Sequence, residues 1–194
     1  MGFNHLVNNQ ISLNAINFIH HYIPKHDYAD DFSSKIIEFK KISNYSHKLT
    51  SREIAILKEF KQLLSIQFLA KLPLPIRDYL LCSVPSHKES EDNKNSFYYL
   101  SKWTDIIRDN YDKDLIWRSK TIQKLSFGGN RSIQIHLDSL KVSSKVRNKR
   151  IIVLDDVTTT GNSLIATREL LLLAGAKEVI LFAFTLTKKS ENEQ

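Results

Sequence analysis

The chain has one cysteine among its 194 residues, and this scarcity removes whole classes of structure. A single thiol allows neither an internal disulfide framework nor a cysteine-based zinc site. Cys82, within an apolar run, is therefore expected to be a small buried hydrophobic residue. No apolar run approaches the roughly 18 residues of a membrane-spanning helix, and the first residues lack the basic flank and apolar core of a secretion signal. We expect a cytoplasmic protein without a membrane partner.

The sequence also lacks metal-binding spacings, and it carries a surplus of positive charge. The seven histidines form no HExxH or similar pattern, so a metal cage built from side chains is not expected. The 28 Lys and Arg residues outnumber the 21 Asp and Glu residues, which gives a net charge of +7. Because these basic residues are spread along the chain, they suit an enzyme with phosphate-bearing substrates as well as a nucleic-acid partner.

The N-terminal third is predicted to be helical. Helices are expected over residues 12–22, from Ser33 or Ser34, and from Thr50, where residues 50–53 have the form of a capping box. The proline-containing segment 71–75 then breaks the pattern and marks a junction.

Downstream of this junction, strands and helices are predicted to alternate. Apolar runs indicate strands at 79–84, 151–154 and 178–186, and helical spacing indicates a helix at 163–173. Such alternation favours an α/β fold with a mostly parallel sheet flanked by helices. The expected organisation is a helical N-terminal extension or hood (1–70), an α/β core (71–187) and a polar tail (188–194).

Residues 151–164 carry most of the information about function. Four apolar residues run directly into Asp155 and Asp156, and a hydroxyl-rich loop with Gly161 leads into the apolar-periodic run 164–173. We interpret this as a buried strand, an anion-binding turn and a helix whose N-terminus favours a phosphate. The carboxylates would then lie where open α/β sheets bind ligands, and would meet sugar hydroxyls or a water-bound Mg²⁺. An ordinary strand–turn–helix is the alternative, but it has no need of two adjacent carboxylates that repel each other.

The same residues resemble the signature of the phosphoribosyltransferases that use phosphoribosyl pyrophosphate (PRPP). That signature is an apolar strand, two acidic residues and a Val-x-Thr-Thr-Gly-x-Thr/Ser loop, and residues 151–163 fill every position. The resemblance implies a phosphoribosyltransferase-like fold in which Asp155 and Asp156 bind the ribose hydroxyls and act in catalysis. The residues that it implies for binding the 5′-phosphate of PRPP are Thr158, Thr159, Thr160, Gly161, Asn162 and Ser163.

Further blocks resemble the competence-protein ComF branch of that family. Residues 117–126, with Asn130 and Arg131, are similar to its series of Arg, Thr-x-x-Gln, Leu-Ser and Arg. Residues 83–88 are similar to its Val-Pro-x-Pro-Leu-His-Lys strand end. Two features depart from that branch. The four-cysteine zinc module that commonly opens such proteins is absent, and residues 94–97 replace their Arg-Gly-Phe-Asn segment.

The resemblance implies transfer of a 5-phosphoribosyl group from PRPP to a nucleophile such as a base, with release of pyrophosphate. The transition state has oxocarbenium character, so the protein must hold the phosphate, neutralise the pyrophosphate and exclude water. Lys88, at the end of the first core strand, and Arg131, on a loop with Gly128 and Gly129, are expected to meet the pyrophosphate. Mg²⁺ is the implied cofactor, held by substrate and water near the carboxylates and not by direct protein ligands. This activity belongs to nucleotide metabolism.

Two alternatives from other classes stay open. The first is a regulator that binds PRPP or a nucleotide without turning it over. Residues 49–57 superficially resemble the start of a helix-turn-helix, but no second recognition helix is predicted, so nucleic acid is not the favoured partner. The second is an interaction protein whose N-terminal helices dock a protein partner or a second copy of the chain. The intact phosphate-loop motif argues against this scaffold role.

Overall fold

The computed structural model describes residues 1–7, 9–23, 30–42, 49–90, 94–102, 104–123 and 132–188. Its strands are β1 (Gly2–His5), β2 (Ala15–Tyr22), β3 (Tyr79–Ser83), β4 (Ile116–Arg118), β5 (Leu140–Val142), β6 (Arg150–Thr158) and β7 (Glu178–Thr187). Its α-helices are α1 (Asp31–Lys41), α2 (Ser51–Leu63), α3 (Ser96–Lys102), α4 (Asp105–Arg108), α5 (Ile133–Ser139) and α6 (Asn162–Leu173). Within these ranges, no helix combines the length and the apolar character needed to cross a bilayer.

Five parallel strands form the central sheet, in the order β1-β2-β7-β6-β3. β4 and β5 form a separate antiparallel pair. β7 lies in the middle of the sheet, and its residues from Val179 to Thr185 are all buried, as expected of a parallel strand that is covered on both faces. The predicted α/β class, with a mostly parallel sheet flanked by helices, is confirmed.

The helix predicted for residues 12–22 is wrong, because this segment contains strand β2. β2 pairs with β7, with Ile16 opposite Leu181. The buried Asn17 on β2 donates from Nδ2 to the carbonyl oxygen of Leu181 at 2.9 Å, across 164 residues of sequence. Periodicity alone does not distinguish a strand from a helix in a short apolar run. The pairing partner that decides between them lies at the other end of the chain.

Two of the five central strands therefore come from the N-terminal third. β1 pairs with β2, with Gly2 opposite Ala15, and the helical part of this third begins only at α1. The assignment of residues 1–70 as an extension or hood and of 71–187 as the core stays a prediction. Apart from Lys188, the predicted tail lies outside the described residues.

The predicted start of α2 is confirmed, whereas the predicted start of α1 lies too late in the sequence. The capping box of α2 is confirmed: Thr50 Oγ1 accepts from the N–H of Glu53 at 3.3 Å, and Glu53 Oε2 accepts from the N–H of Thr50 at 2.7 Å. α1 begins earlier than predicted, because the carboxylate of Asp30 caps it by accepting from the N–H of Ser33 at 2.6 Å.

Helices cover both faces of the sheet. α1 to α4 lie on one face, where Phe39 of α1 and Phe60 of α2 stack with ring centroids 4.5 Å apart, and Phe60 meets Phe184 of β7 edge-on at 4.8 Å. On the other face, α6 and the β4–β5 pair enclose a second apolar cluster that includes Leu164 and Val153. The N-terminal helices thus pack over the same sheet that carries the motif of residues 151–164.

The parallel arrangement brings the functional candidates to one edge. Because all five central strands run in the same direction, the carboxyl ends of β2, β3, β6 and β7 meet at a single edge of the sheet. In open α/β sheets this is the edge that binds ligands.

We predict that Asn17→Ala destabilises the protein by about 1–3 kcal/mol, because it leaves buried backbone groups without partners. Besides the bond to β7, the side chain donates to the carbonyl oxygen of Ser12 and accepts from its N–H, both at 2.9 Å. Urea unfolding followed by circular dichroism measures the change. Asn14→Ala, at an exposed position, is the control and should unfold like the wild type. If Asn17→Ala also unfolds like the wild type, β2 is not held in the sheet by this side chain.

Candidate functional site

Asp155 and Asp156 lie near the carboxyl end of β6, at the edge where open α/β sheets bind ligands. Asp155 Oδ1 accepts a hydrogen bond from the N–H of Asp156 at 2.9 Å, and Asp156 Oδ1 accepts from the N–H of Val157 at 2.7 Å. On the adjacent strand β7, the Thr185 hydroxyl donates to the carbonyl oxygen of Asp156 at 3.2 Å. Local backbone bonds and the neighbouring strand therefore orient both carboxylates.

Helix α1 supplies a cation to this pair. Lys40 Nζ lies 3.0 Å from Asp156 Oδ1. The Asp156 carboxylate raises the pKa of Lys40, burial opposes the rise, and Asp155 adds to it. Sequence reasoning missed this role, because Lys40 is 116 residues from its partner and reads only as one half of a small basic cluster with Lys41. A local pattern gives no signal for such a pair.

The two carboxyl groups are not equivalent. The pKa of Asp155 is raised to about 8, first by burial and then by the charge of Asp156, while Lys40 acts in the opposite direction. Two neighbouring carboxylates in a partly buried place avoid double ionisation by binding a proton. Near pH 7, Asp155 is therefore mostly protonated, and Asp156 forms the ion pair with Lys40.

Gly161 marks the turn from the loop into α6. It is the N-cap residue of this helix and has φ 77° and ψ 0°, a left-handed conformation that glycine adopts readily. The N–H groups in the first turn of α6 begin directly after it, where the helix dipole favours an anion. A Cβ on Gly161 would collide with the side chain of Ile16 on β2 and would lie 3.6 Å from the ring of Phe3 on β1. The glycine is thus required by close packing of the N-terminal strands as well as by the turn.

The predicted phosphate-binding residues occupy different environments. Thr158 is buried as the last residue of β6. Thr159 Oγ1 lies 3.0 Å from Thr187 Oγ1 at the end of β7, so this hydroxyl ties two strand ends together. Thr160 is exposed, while Asn162 and Ser163 are half-buried in the first turn of α6. The structure brings residues 159–163 to the helix N-terminus, and their role in phosphate binding stays a prediction.

Lys88 is exposed in the segment that follows β3. This segment starts beside the motif strand, because the N–H of Val84 donates to the carbonyl oxygen of Leu154 at 2.9 Å. Arg131, the second predicted pyrophosphate ligand, lies outside the described residues together with Gly128 and Gly129.

The carboxylate pair has the right chemistry for indirect Mg²⁺ binding. Mg²⁺ prefers oxygen ligands and usually keeps several waters, and Asp155 and Asp156 offer carboxylate oxygens at the strand end. One oxygen of Asp156 is already engaged by Lys40, so this set fits an ion bound through water. Within the part of the chain that the structure describes, no group of three or more His, Cys, Asp or Glu residues is placed to hold a metal ion.

The end of β2 contributes a histidine that pairs with an aspartate, and sequence reasoning missed this pair too. His20 Nε2 lies 2.9 Å from Asp30 Oδ2, and the imidazole ring packs on Phe32 with centroids 4.4 Å apart. The sequence pattern predicts a helix for this segment, and a helix does not bring its histidines to the carboxyl edge of the sheet. A strand prediction for β2 would have placed His20 there.

Comparison with known families supports the motif. Residues 115–194 match the family model for the phosphoribosyl transferase domain. This range contains β6 with its carboxylates, the loop, α6 and β7, and the match supports the phosphoribosyltransferase family for this part of the chain. A search of curated proteins gives no match.

We predict that Asp155→Asn raises stability, by an amount that grows with pH. The folded protein holds the Asp155 proton up to about pH 8, whereas an unfolded chain releases it near pH 4. Wild-type stability therefore falls as the pH rises between these values. The Asn variant escapes this loss, so its advantage should increase from about pH 4 to about pH 8 and then level off, reaching a few kcal/mol at most.

Urea unfolding at pH 5, 6, 7 and 8 measures this advantage. Asp138→Asn, at an exposed position on α5, is the control and should follow the wild type at every pH. A constant difference between Asp155→Asn and the wild type would show that the Asp155 proton is not retained on folding.

Proposed function

We propose that the protein is a phosphoribosyltransferase that transfers the 5-phosphoribosyl group of PRPP to a nucleophile and releases pyrophosphate. The observation that carries this proposal is the placement of Asp155 and Asp156 directly before the N-terminus of α6, at the carboxyl edge of a parallel sheet. The family match over residues 115–194 supports it. The blocks at 83–88 and 117–126 further favour the ComF-like branch, without its zinc module.

In this proposal, the N-terminus of α6 receives the 5′-phosphate. The first-turn N–H groups from Asn162 onward and the hydroxyls of Thr160 and Ser163 supply the donors, and the helix dipole favours the dianion. Holding the phosphate at this point fixes the ribose over the ends of β6 and β7. Such positioning is a large part of what an enzyme contributes to a reaction between two bound molecules.

The carboxylates act on the ribose. They accept hydrogen bonds from its hydroxyls, and the negative charge of Asp156 stabilises the positive charge that develops on the sugar as the bond to pyrophosphate breaks. The leaving pyrophosphate keeps the electron pair of that bond, and the nucleophile bonds to the anomeric carbon with its own electron pair and then loses its proton. Lys88 and Arg131 neutralise the pyrophosphate from the protein side, and Mg²⁺ carried by PRPP would add charge neutralisation, held through water near Asp155 and Asp156.

The N-terminal third serves as the hood in this proposal. α1 already reaches the site, because Lys40 pairs with Asp156, and the end of β2 brings His20 and Asp30 to the same edge. The acceptor, a base or a similar nucleophile, would bind between these elements and the ribose. A role in cytoplasmic nucleotide metabolism follows from this activity.

One observation favours a second candidate function. The ion pair with Lys40 engages an Asp156 oxygen that a ribose hydroxyl would use. A protein that keeps this pair in the bound state would hold PRPP, or a nucleotide, as a regulator and would not turn it over. Measurement of binding and of pyrophosphate release on the same sample separates the two functions.

We predict that PRPP with Mg²⁺ raises the melting temperature, because a ligand that binds only the folded state stabilises it by mass action. At 100 times the Kd the gain is about 2.7 kcal/mol. Differential scanning calorimetry measures the shift, and ribose without the 5′-phosphate is the control ligand, with a far smaller effect expected. If millimolar PRPP gives neither a shift nor heat of binding, the protein is not a PRPP-binding protein.

We predict that replacing Asp155 and Asp156 together with Asn abolishes pyrophosphate release and leaves the fold intact. The pair has little packing role, and relief of the burial cost of Asp155 should hold or raise stability. Pyrophosphate release is assayed with PRPP and a panel of nucleobases, with Asp138→Asn as control. Release at the wild-type rate from the double variant would contradict the proposed role. If the wild type binds PRPP but releases no pyrophosphate from it with any base of the panel, the regulatory function is favoured.

A further inference from the structure

Lys40, near the end of α1, lies on the solvent side of Asp156. Its ammonium group is 3.0 Å from Asp156 Oδ1, and the side chains of Lys40 and Asp156 are 59% and 15% exposed. The same oxygen accepts from the N–H of Val157 at 2.7 Å. A carboxylate oxygen has about two lone-pair positions, so these two contacts use the acceptor capacity of Oδ1. A ligand hydroxyl bonds to this oxygen only if one of the two contacts opens.

Of these two contacts, the ion pair is the one that can open. Val157 lies in β6 and pairs with Thr185 of β7, so its N–H cannot turn away from Asp156 without a change in the strand. Lys40 reaches Asp156 through a flexible four-carbon stem. A rotation within this stem is enough to remove the ammonium group from the carboxylate.

Helix α1 keeps its place when the pair opens. Phe39 is fully buried and stacks on Phe60 of α2 with ring centroids 4.5 Å apart, and Glu38 forms an ion pair with Arg52 of α2. Lys40 lies in the last turn of α1, where the carbonyl groups of a helix attract cations. The ammonium group that leaves Asp156 therefore has other acceptors nearby, and no helix motion is needed.

The lysine and a ribose ligand need the same charge. In the proposed function the ribose hydroxyls donate to the carboxylates, and a hydrogen bond to an ionised acceptor is stronger than one to a neutral acceptor. Asp156 carries the negative charge of the ion pair. The ammonium group and the hydroxyls therefore compete for one carboxylate.

We propose that the contact between Lys40 and Asp156 is autoinhibitory: it closes the carboxylate to ribose in the unliganded protein, and the hydroxyls of a phosphoribosyl ligand displace the lysine when they bind. This inference rests on the proposed function and concerns the regulation of the same site. The phosphate site at the N-terminus of α6 is built from other residues. It is therefore expected to accept an anion whether the contact is closed or open.

Calorimetric titration with two probes tests the contact. Inorganic phosphate reports on the α6 site alone, and ribose 5-phosphate reports on that site together with the carboxylates. Lys40→Met removes the ammonium group and keeps most of the stem. It should raise the affinity for ribose 5-phosphate relative to phosphate about fivefold, the effect expected of a largely exposed ion pair. Lys41→Met is the matched control, because it removes the same charge from the next, exposed position, and it should keep the wild-type ratio of the two affinities.

A double-variant cycle shows whether Lys40 acts through Asp156. Asp156→Asn removes the charge for which the ammonium group and the hydroxyls compete. In this background, Lys40→Met should leave the ratio of the two affinities unchanged.

Amine labelling gives a readout that needs no ligand. Reductive methylation, located by tandem mass spectrometry, should modify Lys40 about fivefold faster in Asp156→Asn than in the wild type, and Lys41 at the same rate in both. Ribose 5-phosphate should raise the rate at Lys40 in the wild type, because its hydroxyls displace the lysine. Inorganic phosphate, which has no such hydroxyls, should not.

Three results would overturn the inference. The first is an affinity ratio that falls or stays unchanged in Lys40→Met, and a fall would mean that the lysine orients Asp156 for the ligand. The second is a rise of the ratio that is equally large in the Asp156→Asn background, which would place the effect elsewhere. The third is equal labelling of Lys40 in the wild type and in Asp156→Asn, which would mean that the contact does not protect the lysine.

The proposed function is judged separately by PRPP binding. If the wild type binds PRPP and any of these three results is found, the proposed function stands and only the role of Lys40 is lost. A wild-type protein that binds neither probe and does not bind PRPP contradicts the proposed function, and this inference falls with it.

Discussion

The parallel pairing of β7 with β2 on one side and β6 on the other is the constraint on which the rest of the structure depends. β7 is buried on both faces, so helices must cover both sides of the sheet. Parallel direction brings the strand ends together at one edge, where the carboxylates, the loop and the end of β2 meet. An antiparallel neighbour would have taken β2 and its histidines to the opposite edge.

Charge balance at this edge links the two parts of the sequence. The carboxylates come from the motif strand, and Lys40, which faces Asp156, comes from a helix of the N-terminal third. Because burial and mutual repulsion keep a proton on Asp155, a single lysine balances the pair at neutral pH. A ligand that brings hydroxyl groups or a cation to this edge would change the charge balance between Lys40 and the carboxylates.

Sequence reasoning predicted what depends on nearby residues. The capping box at Thr50, the motif strand, the loop and α6 all follow from patterns within about ten residues, and the structure contains each of them. It failed for β2, where a short apolar run permits strand or helix. It also placed Arg118 only within the block 117–126, since nothing local indicates that this arginine is buried and donates to the backbone after β3.

The sequence by itself determined the α/β class and the position of the carboxylates before the loop, because apolar runs, turn residues and caps act over short distances. The tertiary structure alone decided that β2 pairs with a strand 164 residues away, that Lys40 pairs with Asp156, and that the buried Arg118 donates to backbone carbonyls after β3. Each of these depends on which surfaces are brought together and how much water is excluded between them. Hydrogen-bond partners and buried charges are properties of that packing, and a one-dimensional pattern does not contain them.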